Sequence, residues 1–182
     1  MKYREFGKTG FKISEVSLGT WQLGGKWGAP YNLKTAQATL QAAYDHGVNF
    51  FDTADGYQGG ESEKAVGAFV REHPDVHFTT KIGHKETPFT LEHFNPKHLR
   101  QYVEDSLKNM GVDALDCVLL HCPPTDAYYD PSVFAALAAL KREGKILHYG
   151  VSVLRVEEAP KPLVYDTPAV DITFNMFRFR PA

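Results

Sequence analysis

The sequence has no membrane-spanning run, no signal-peptide run and no cluster of like charges, and these absences bear on its location and its partners. No stretch approaches the roughly 20 apolar residues that cross a bilayer, and the opening MKYREFGKTG has no apolar run of signal-peptide type. Lys and Arg number 20 against 22 Asp and Glu, and the net charge of −2 is not concentrated in a basic run or an acidic tail. We therefore expect a cytoplasmic protein that binds neither membrane nor nucleic acid, with a small molecule as its partner.

Cysteine and metal-binding patterns are also scarce. The two cysteines, Cys117 and Cys122, lie an odd number of residues apart in one strand-like run, so their side chains should point to opposite faces of a sheet. The eight histidines fall neither in an HExxH motif nor in a CxxC pattern with paired histidines. The sequence therefore predicts neither a disulfide nor a metal site.

The remaining composition is that of a globular chain. Its 182 residues are 43% hydrophobic and no linker divides them, so we expect one domain over residues 1–182. After a hairpin-like opening, compact apolar runs alternate with amphipathic stretches of helical length, which is typical of repeated βα units. The predicted strands are Val16–Thr20, Val48–Thr53, His77–Lys81, Leu115–His121, His148–Val153 and Ala169–Asn175, and the predicted helices are Thr35–His46, Glu61–Glu72, Pro96–Met110 and Pro131–Glu143. In the fifth helical position, Pro160 and Pro162 predict one short turn and then irregular chain.

Two architectures contain repeated βα units, the doubly wound sheet and the (β/α) barrel, and periodicity does not choose between them. A doubly wound dinucleotide-binding domain should have G-x-G-x-x-G directly after its first strand. The residues after Gly19 read TWQLGGKWGAP, which lacks that spacing and contains Pro30. The sequence therefore favours the barrel, in which the active groups lie at the carboxyl ends of the strands.

Polar residues lie at those ends in successive predicted strands. Each of them alone is more often a cap, a surface residue or a structural histidine than a functional group. In a barrel, however, the strand ends meet at one rim, so the set is expected to converge. The strand-end residues are Thr20, Asp52, Lys81, His121 and Ser152, and Tyr57 follows in the loop after Asp52.

The combination of side chains suggests proton transfer. A phenol with a reference pKa of about 10 is a poor general acid near neutral pH unless a nearby cation favours the phenolate, and Lys81 would supply that cation. Asp52, beside Phe50 and Phe51, would hold Lys81 charged and be paired by it in return. His121 could orient a carbonyl oxygen while Tyr57 delivers the proton.

Four segments carry a resemblance to a known family: FFDTADGY, TTKIG, LLHCPP and YGVSV resemble the aldo-keto reductases in order and spacing, and the likeness extends from REFGKTGFKISEVSLGTW to FNMFRFRP. The resemblance implies a catalytic tetrad of Asp52, Tyr57, Lys81 and His121. It also implies hydride transfer from NADPH to an aldehyde or ketone, with Tyr57 protonating the oxygen; NAD(H) stays open as the cofactor. The expected fold is an α/β (β/α)8 TIM barrel, incomplete at about six βα units, with an N-terminal β-hairpin before it.

The resemblance implies further contacts, with two departures from the family pattern. The cofactor-binding residues would be Thr20, Trp21, Asp52, Ser152 and Asp171, and the substrate-binding residues Trp21, Trp27, Tyr57 and His121. The family usually has Asn where this chain has Val153, and Gln where it has Asp171. Val153 cannot hydrogen-bond a nicotinamide carboxamide, and Asp171 can only accept from its amide group or cap its own strand. Trp27 has the alternative of packing in a surface loop.

Two alternatives to a working reductase stay open. Six predicted strands fall short of the eight of a complete barrel, whose phosphate-binding loops follow strands seven and eight. The chain could therefore act as a catalytically idle binding or interaction scaffold, binding NADPH weakly and self-associating through open edges near Val16–Thr20 and Ala169–Asn175. A metal-dependent barrel hydrolase or isomerase would instead need several carboxylate and histidine ligands at the rim, which Lys81 beside Tyr57 fits poorly.

Overall fold

Six parallel strands form the main sheet of the computed structural model, which describes residues 1–25, 29–87, 89–175 and 177. The strands are β3 (Leu18–Gly19), β4 (Phe50–Asp52), β5 (His77–Ile82), β6 (Leu115–His121), β7 (Ile146–Val153) and β8 (Ala169–Ile172). They lie side by side in sequence order. A doubly wound sheet reverses its strand order at a switch point, whereas a barrel does not. The order therefore confirms the barrel-type architecture, here as six of its strands.

Four α-helices connect the first five of these strands: α1 (Leu33–Asp45), α2 (Glu61–Glu72), α3 (Pro96–Met110) and α4 (Pro131–Arg142). The Asn95 side chain caps α3 by accepting from the His98 amide, and Asp130 caps α4 in the same way through Ser132. A proline follows each of these caps at the first helical position, where its missing N–H is not needed. α2, α3 and α4 therefore begin where the sequence predicts them, whereas α1 begins two residues before the predicted Thr35.

The connection from β7 to β8 contains two short 3₁₀ turns, Val156–Glu158 and Pro162–Tyr165, instead of an α-helix. A proline ring removes a backbone donor and clashes with the preceding turn, so Pro160 and Pro162 prevent a continuous helix. The predicted short turn is confirmed, and a second turn follows it.

The core has two layers on opposite faces of the sheet. The outer layer, between strands and helices, contains most of the buried apolar residues, Phe51, Leu120 and Val151 among them. The inner layer is smaller and consists of Cys117, Leu119 and Ala169 with Phe6 packed against them. Alternate strand residues supply the two faces, as the period of a β-strand requires.

An antiparallel hairpin, β1 (Tyr3–Glu5) with β2 (Lys12–Ser14), packs against the amino-terminal ends of the strands. The Phe6 ring lies 4.9 Å from that of Phe50, and the Phe11 ring stacks on His77 at 4.2 Å. This end of the sheet is therefore covered, and the carboxyl ends of the strands lie at the opposite side. Among the described residues, no helix combines the length and apolarity that crossing a bilayer requires.

Candidate active site

The carboxyl ends of the strands bring together the side chains that the sequence predicts. Strand register aligns Gly19 with Asp52 and Asp52 with Thr79. Farther along the same sheet, His121 of β6 is aligned with Ser152 of β7, and Ser152 is aligned with Asp171 of β8. Because alternate residues face the barrel interior, these rows point to the same side of the sheet as Lys81.

Lys81 and Asp52 form an ion pair at the centre of this group. The Lys81 ammonium donates to Asp52 Oδ1, and Thr79 Oγ1 donates to Asp52 Oδ2 at 2.8 Å. Lys81 is only 3% exposed, so its charge needs this partner. Burial alone would lower the lysine pKa, but the Asp52 and Tyr57 groups outweigh it and raise the pKa above its ordinary value. Lys81 therefore remains an ammonium at neutral pH.

The same burial acts on Asp52. Desolvation raises the pKa of its carboxyl, against the opposing effects of Lys81 and of the Thr79 hydroxyl. Pairing with Lys81 therefore reduces the problem of a carboxylate beside apolar residues without removing it. Thr20 supports the position of the strand end, because its Oγ1 donates to the Asp52 carbonyl at 2.8 Å and accepts from Ser62 Oγ at 2.8 Å.

Tyr57 reaches the pair from the 3₁₀ turn Tyr57–Gly60, in which Gln58 and Gly59 adopt left-handed backbone angles. Its Oη lies 3.5 Å from Lys81 Nζ, and Nζ lies 5.3 Å from the ring centroid. The sequence-based expectation that Lys81 would favour the phenolate is only partly met. Lys81 does lower the pKa of Tyr57, but burial has the larger effect and the pKa is raised overall.

His121 lies on the other side of Tyr57, with the two rings edge to face and their centroids 5.8 Å apart. Burial, together with the nearby Lys81 and His84 groups, lowers the pKa of His121 to about 3. The imidazole is therefore neutral at physiological pH and can orient an oxygen as a hydrogen-bond donor. Its Nδ1 is buried and has no partner among the described residues.

We expect His121 to stay neutral across the range in which histidines usually titrate. In NMR spectra recorded from about pH 8 to about pH 5, its ring signals, assigned by their loss in His121→Gln, should not shift. The unfolded chain takes up this proton below about 6.5 and the folded chain only near 3, so the contribution of His121 to stability is complete above 6.5 and is lost as the pH falls. A ring that titrates near 6.5 would contradict the buried, neutral assignment.

A cavity of about 320 Å³ opens over these groups and is lined by Trp21, Gly56, Tyr57, His84 and His121. The sequence analysis missed His84, which stacks on Phe89 with ring centroids 4.3 Å apart. His84 Nδ1 also lies 3.3 Å from the His121 carbonyl oxygen. His84 could have been found from its position two residues beyond the end of β5, in the loop at the carboxyl end of that strand.

The predicted cofactor residues are less uniform. Thr20 is fully buried and bonded within the protein, whereas Ser152 Oγ donates to Asp171 Oδ2 at 2.9 Å at the barrel interior. Val153 is 1% exposed and belongs to the outer core, so it faces away from the site. Cofactor contact by Thr20, Trp21, Ser152 and Asp171 stays a prediction.

Two further expectations concern the cysteines and metal ligands. Cys117 and Cys122 are free; Cys117 is buried in the inner layer, and Cys122 Sγ lies 3.5 Å from Ser152 Oγ. Within residues 1–25, 29–87, 89–175 and 177, no three His, Cys, Asp or Glu side chains are arranged to hold a metal ion. Trp27, predicted to contact substrate, lies outside the described residues.

Comparison with known proteins finds one family. Residues 15–182 match the family described as Aldo/keto reductase family. The NADH-specific methylglyoxal reductase of Escherichia coli is 30% identical over 182 aligned residues, which are 91% of this chain and 56% of that protein. Aldo-keto reductase YhdN of Bacillus subtilis is 33% identical over 87% of this chain and 49% of its own length.

A solved structure agrees with these sequence matches. The holo form of aldo-keto reductase AKR11C1 from Bacillus halodurans superposes with a TM-score of 0.79, at 26% identity, over 96% of this chain and 58% of that one. The chain thus spans about half the length of the curated relatives it matches. The fold of AKR11C1 is shared by this chain over the superposed span.

Proposed function

Because the chain belongs to the aldo/keto reductase family, we propose that it serves an NADP(H)-dependent reduction of an aldehyde or ketone to an alcohol. The observation that carries the proposal is the group formed by Asp52, Tyr57, Lys81 and His121, with Lys81 hydrogen-bonded to Asp52 and 3.5 Å from the phenol. A buried ammonium beside a phenol is suited to stabilising negative charge as the phenol gives up its proton. A cytoplasmic location, expected from the sequence, is part of the same proposal.

Each side chain has a separate task in this reaction. When bound, a nicotinamide cofactor would supply a hydride to the carbonyl carbon. Tyr57 transfers its phenolic proton to the carbonyl oxygen, so that a C–H and an O–H bond form and the C=O double bond becomes single. Lys81 stabilises the phenolate that remains, and Asp52 holds Lys81 in position. Neutral His121 donates an N–H to the same oxygen and fixes its direction.

The barrel interior has acceptors that fit part of a nicotinamide group. Asp171 has an exposed carboxylate and Ser152 a hydroxyl, so the pair can accept from a carboxamide NH₂. The family usually has an Asn side-chain amide at the position of Val153. Nothing on β7 substitutes for that amide, because Val153 faces the outer core. We therefore propose that Asp171 and Ser152 bind the amino side of the carboxamide, with Thr20 supporting Asp52 and Trp21 bordering the ring.

The pocket also suggests a substrate class. Trp21 and Tyr57 line the cavity over the tetrad, and flat aromatic walls favour apolar or aromatic carbonyl compounds. We propose such a compound as the substrate, with Tyr57 and His121 at its oxygen.

Titration with NADPH and with NADH, followed by the change in dinucleotide fluorescence, tests the proposal. We expect weak but saturable binding, tighter for NADPH than for NADH, and consumption of the bound dinucleotide when an aromatic aldehyde is added. Binding without turnover would favour the scaffold reading, and the absence of both would contradict the proposed activity of this chain. Tighter binding of NADH would overturn the choice of NADP(H) alone.

A scaffold that associates with other chains is the second candidate. The observation in its favour is that β3 and β8 each have only one neighbour in the described sheet, with Val16 and Phe174 more than half exposed near them. Unpaired strand edges can accept a strand from another chain. We therefore propose self-association through these edges, and light scattering over a concentration series should detect it; a monomer at every concentration would contradict it.

A further inference from the structure

A buried carboxyl group lies in the loop of Tyr57 but outside the tetrad. Asp55 is 5% exposed, and its backbone N–H donates to the Lys81 carbonyl at 2.9 Å. Its Oδ2 accepts from the Gly83 N–H at 3.3 Å. Its Oδ1 is buried and has no hydrogen-bond partner in the part of the chain that the structure describes. Asp55 therefore links the loop after β4 to β5 and its following loop through its backbone N–H and one carboxyl oxygen.

This link joins the sequence neighbours of Gly56 and His84, which lie between two cavities. One is the cavity over the tetrad, and the other is a polar groove of about 550 Å³ beside it. Gly56 and His84 line both, and Asp55 lines the groove, together with Lys85 and Asp105. A shift of Asp55 would therefore move the residue that precedes Tyr57 and the wall of its pocket.

The charges around Asp55 come from several elements. Lys85 lies in the loop after β5 and donates to Asp105 of α3 at 3.0 Å. Glu63 of α2 is fully buried, but its carboxylate accepts from Thr80 Oγ1 at 2.6 Å and from the side-chain amide of Asn109 in α3 at 2.8 Å. Tyr102 of α3 donates to Glu86 at 2.9 Å. Lys81 and His84 are the neighbours on the side of the catalytic pocket.

Burial dominates over these charges. Desolvation raises the pKa of Asp55 from 3.8 to about 7, against the lowering effects of the Gly83 amide, Lys85 and the Gly56 amide, while Glu63 adds to the rise. A buried oxygen without a partner is tolerable on a neutral acid but unfavourable on a carboxylate. The unpartnered Oδ1 therefore favours the protonated form.

We propose that Asp55 is a positioning residue for Tyr57: its neutral carboxyl holds the Tyr57 loop in the geometry described, and its ionisation draws a partner to Oδ1 from the groove and displaces the loop. The partner is water or the Lys85 ammonium, whose present bond to Asp105 is solvent-exposed and so easily exchanged. The catalytic consequence rests on the proposed function, whereas the movement of Tyr57 does not.

NMR of the chain labelled with ¹³C in its tyrosine rings tests the movement. The Tyr57 signal, assigned by its loss in Tyr57→Phe, is followed from about pH 5.5 to about pH 8.5 in the wild type, Asp55→Asn, Asp55→Ala and His84→Gln. We expect a midpoint near 7 in the wild type and in His84→Gln. Asp55→Asn keeps an acceptor for Gly83 and cannot ionise, so its signal should stay at the low-pH wild-type position, while Asp55→Ala should be displaced at every pH.

Two results would overturn the proposal: a Tyr57 signal that does not move in the wild type, or one that titrates equally in Asp55→Asn. In an active preparation, kcat should fall above pH 7 in the wild type and not in Asp55→Asn. If no turnover is found at all, the proposed function fails while the NMR result still decides the role of Asp55.

Thermal unfolding provides a readout without activity. The unfolded chain loses the Asp55 proton near 3.8 and the folded chain only near 7, so wild-type stability falls as the pH rises through that interval. Asp55→Asn lacks this fall. Its Tm should therefore exceed that of the wild type at pH 8 and converge with it near pH 4. Equal Tm values at both pH values would show that Asp55 is not protonated in the folded chain and would contradict the proposal.

Discussion

Substitution of Lys81 by Met should abolish carbonyl reduction and also destabilise the fold. Lys81 donates to Asp52, and its removal leaves a largely buried carboxylate with Thr79 as its hydrogen-bonding side chain. Removing one partner of a buried pair costs about 3–5 kcal/mol, and the lower end applies because the Asp52 side chain is 26% exposed. Urea denaturation at neutral pH measures this loss, and a carbonyl-reduction assay measures the activity.

The loss of stability has a defined pH dependence and a matched control. Asp52 in the variant should take up a proton at higher pH than in the wild type, so acidification should reduce the difference in stability between the two. Lys85→Met removes a lysine whose bond to Asp105 is exposed, and should change stability by less than about 1 kcal/mol. If the two lysine variants lose equal stability, burial does not make the Lys81–Asp52 ion pair more important to the fold than the exposed Lys85–Asp105 pair.

A second substitution separates the charge from the packing. Asp52→Asn introduced into Lys81→Met removes the uncompensated carboxylate and should recover much of the lost stability, because a neutral amide is less costly to bury than an unpaired charge. Activity should not return, since the phenol still lacks its cation. Recovery of activity in the double variant would show that Lys81 acts only by neutralising Asp52.

The sequence could predict that these side chains converge because three of them are tied to strand ends. Asp52, Lys81 and His121 lie at the carboxyl ends of β4, β5 and β6 or one residue before, and parallel strands in sequence order must bring these ends to one rim. Strand type and helix caps were likewise local properties of the chain. The first strand was overestimated, since only Leu18–Gly19 of the predicted Val16–Thr20 pairs with β4.

Features that depend on burial could not be read in the same way. The sequence suggested that Lys81 would decide the state of Tyr57, but the extent of burial, which only the folded arrangement determines, raises its pKa overall. Asp55 lies in the same motif as Asp52, and yet the pKa of its carboxyl is raised to about 7 because the loops after β4 and β5 close over it. His84 enters the site through the stacking of its ring on Phe89, a contact set by the fold of one long loop.

Tyr57→Phe should separate the two effects of Lys81→Met: almost complete loss of reduction, but with little change in stability. The phenolic oxygen is the proton donor of the proposed reaction, and general acids contribute about 10²–10⁴-fold to such rates. Its hydrogen bond within the described chain is the long one of 3.5 Å to Lys81 Nζ, so removing the hydroxyl gives up little folding energy. Stopped-time product assays and urea denaturation measure the two effects separately.

The cofactor distinguishes a missing proton donor from a damaged site. Tyr57→Phe keeps the aromatic ring, the Lys81–Asp52 pair and the acceptors at Asp171, so it should bind dinucleotide as the wild type does. Tyr129→Phe removes a hydroxyl from an exposed tyrosine away from the cavity and should leave both binding and reduction unchanged. Because burial raises the pKa of Tyr57, the phenol stays protonated throughout the neutral range and a proton is available to the substrate oxygen at each turnover. Reduction by Tyr57→Phe at the wild-type rate would therefore require another proton donor in the pocket, and would exclude the role of this phenol.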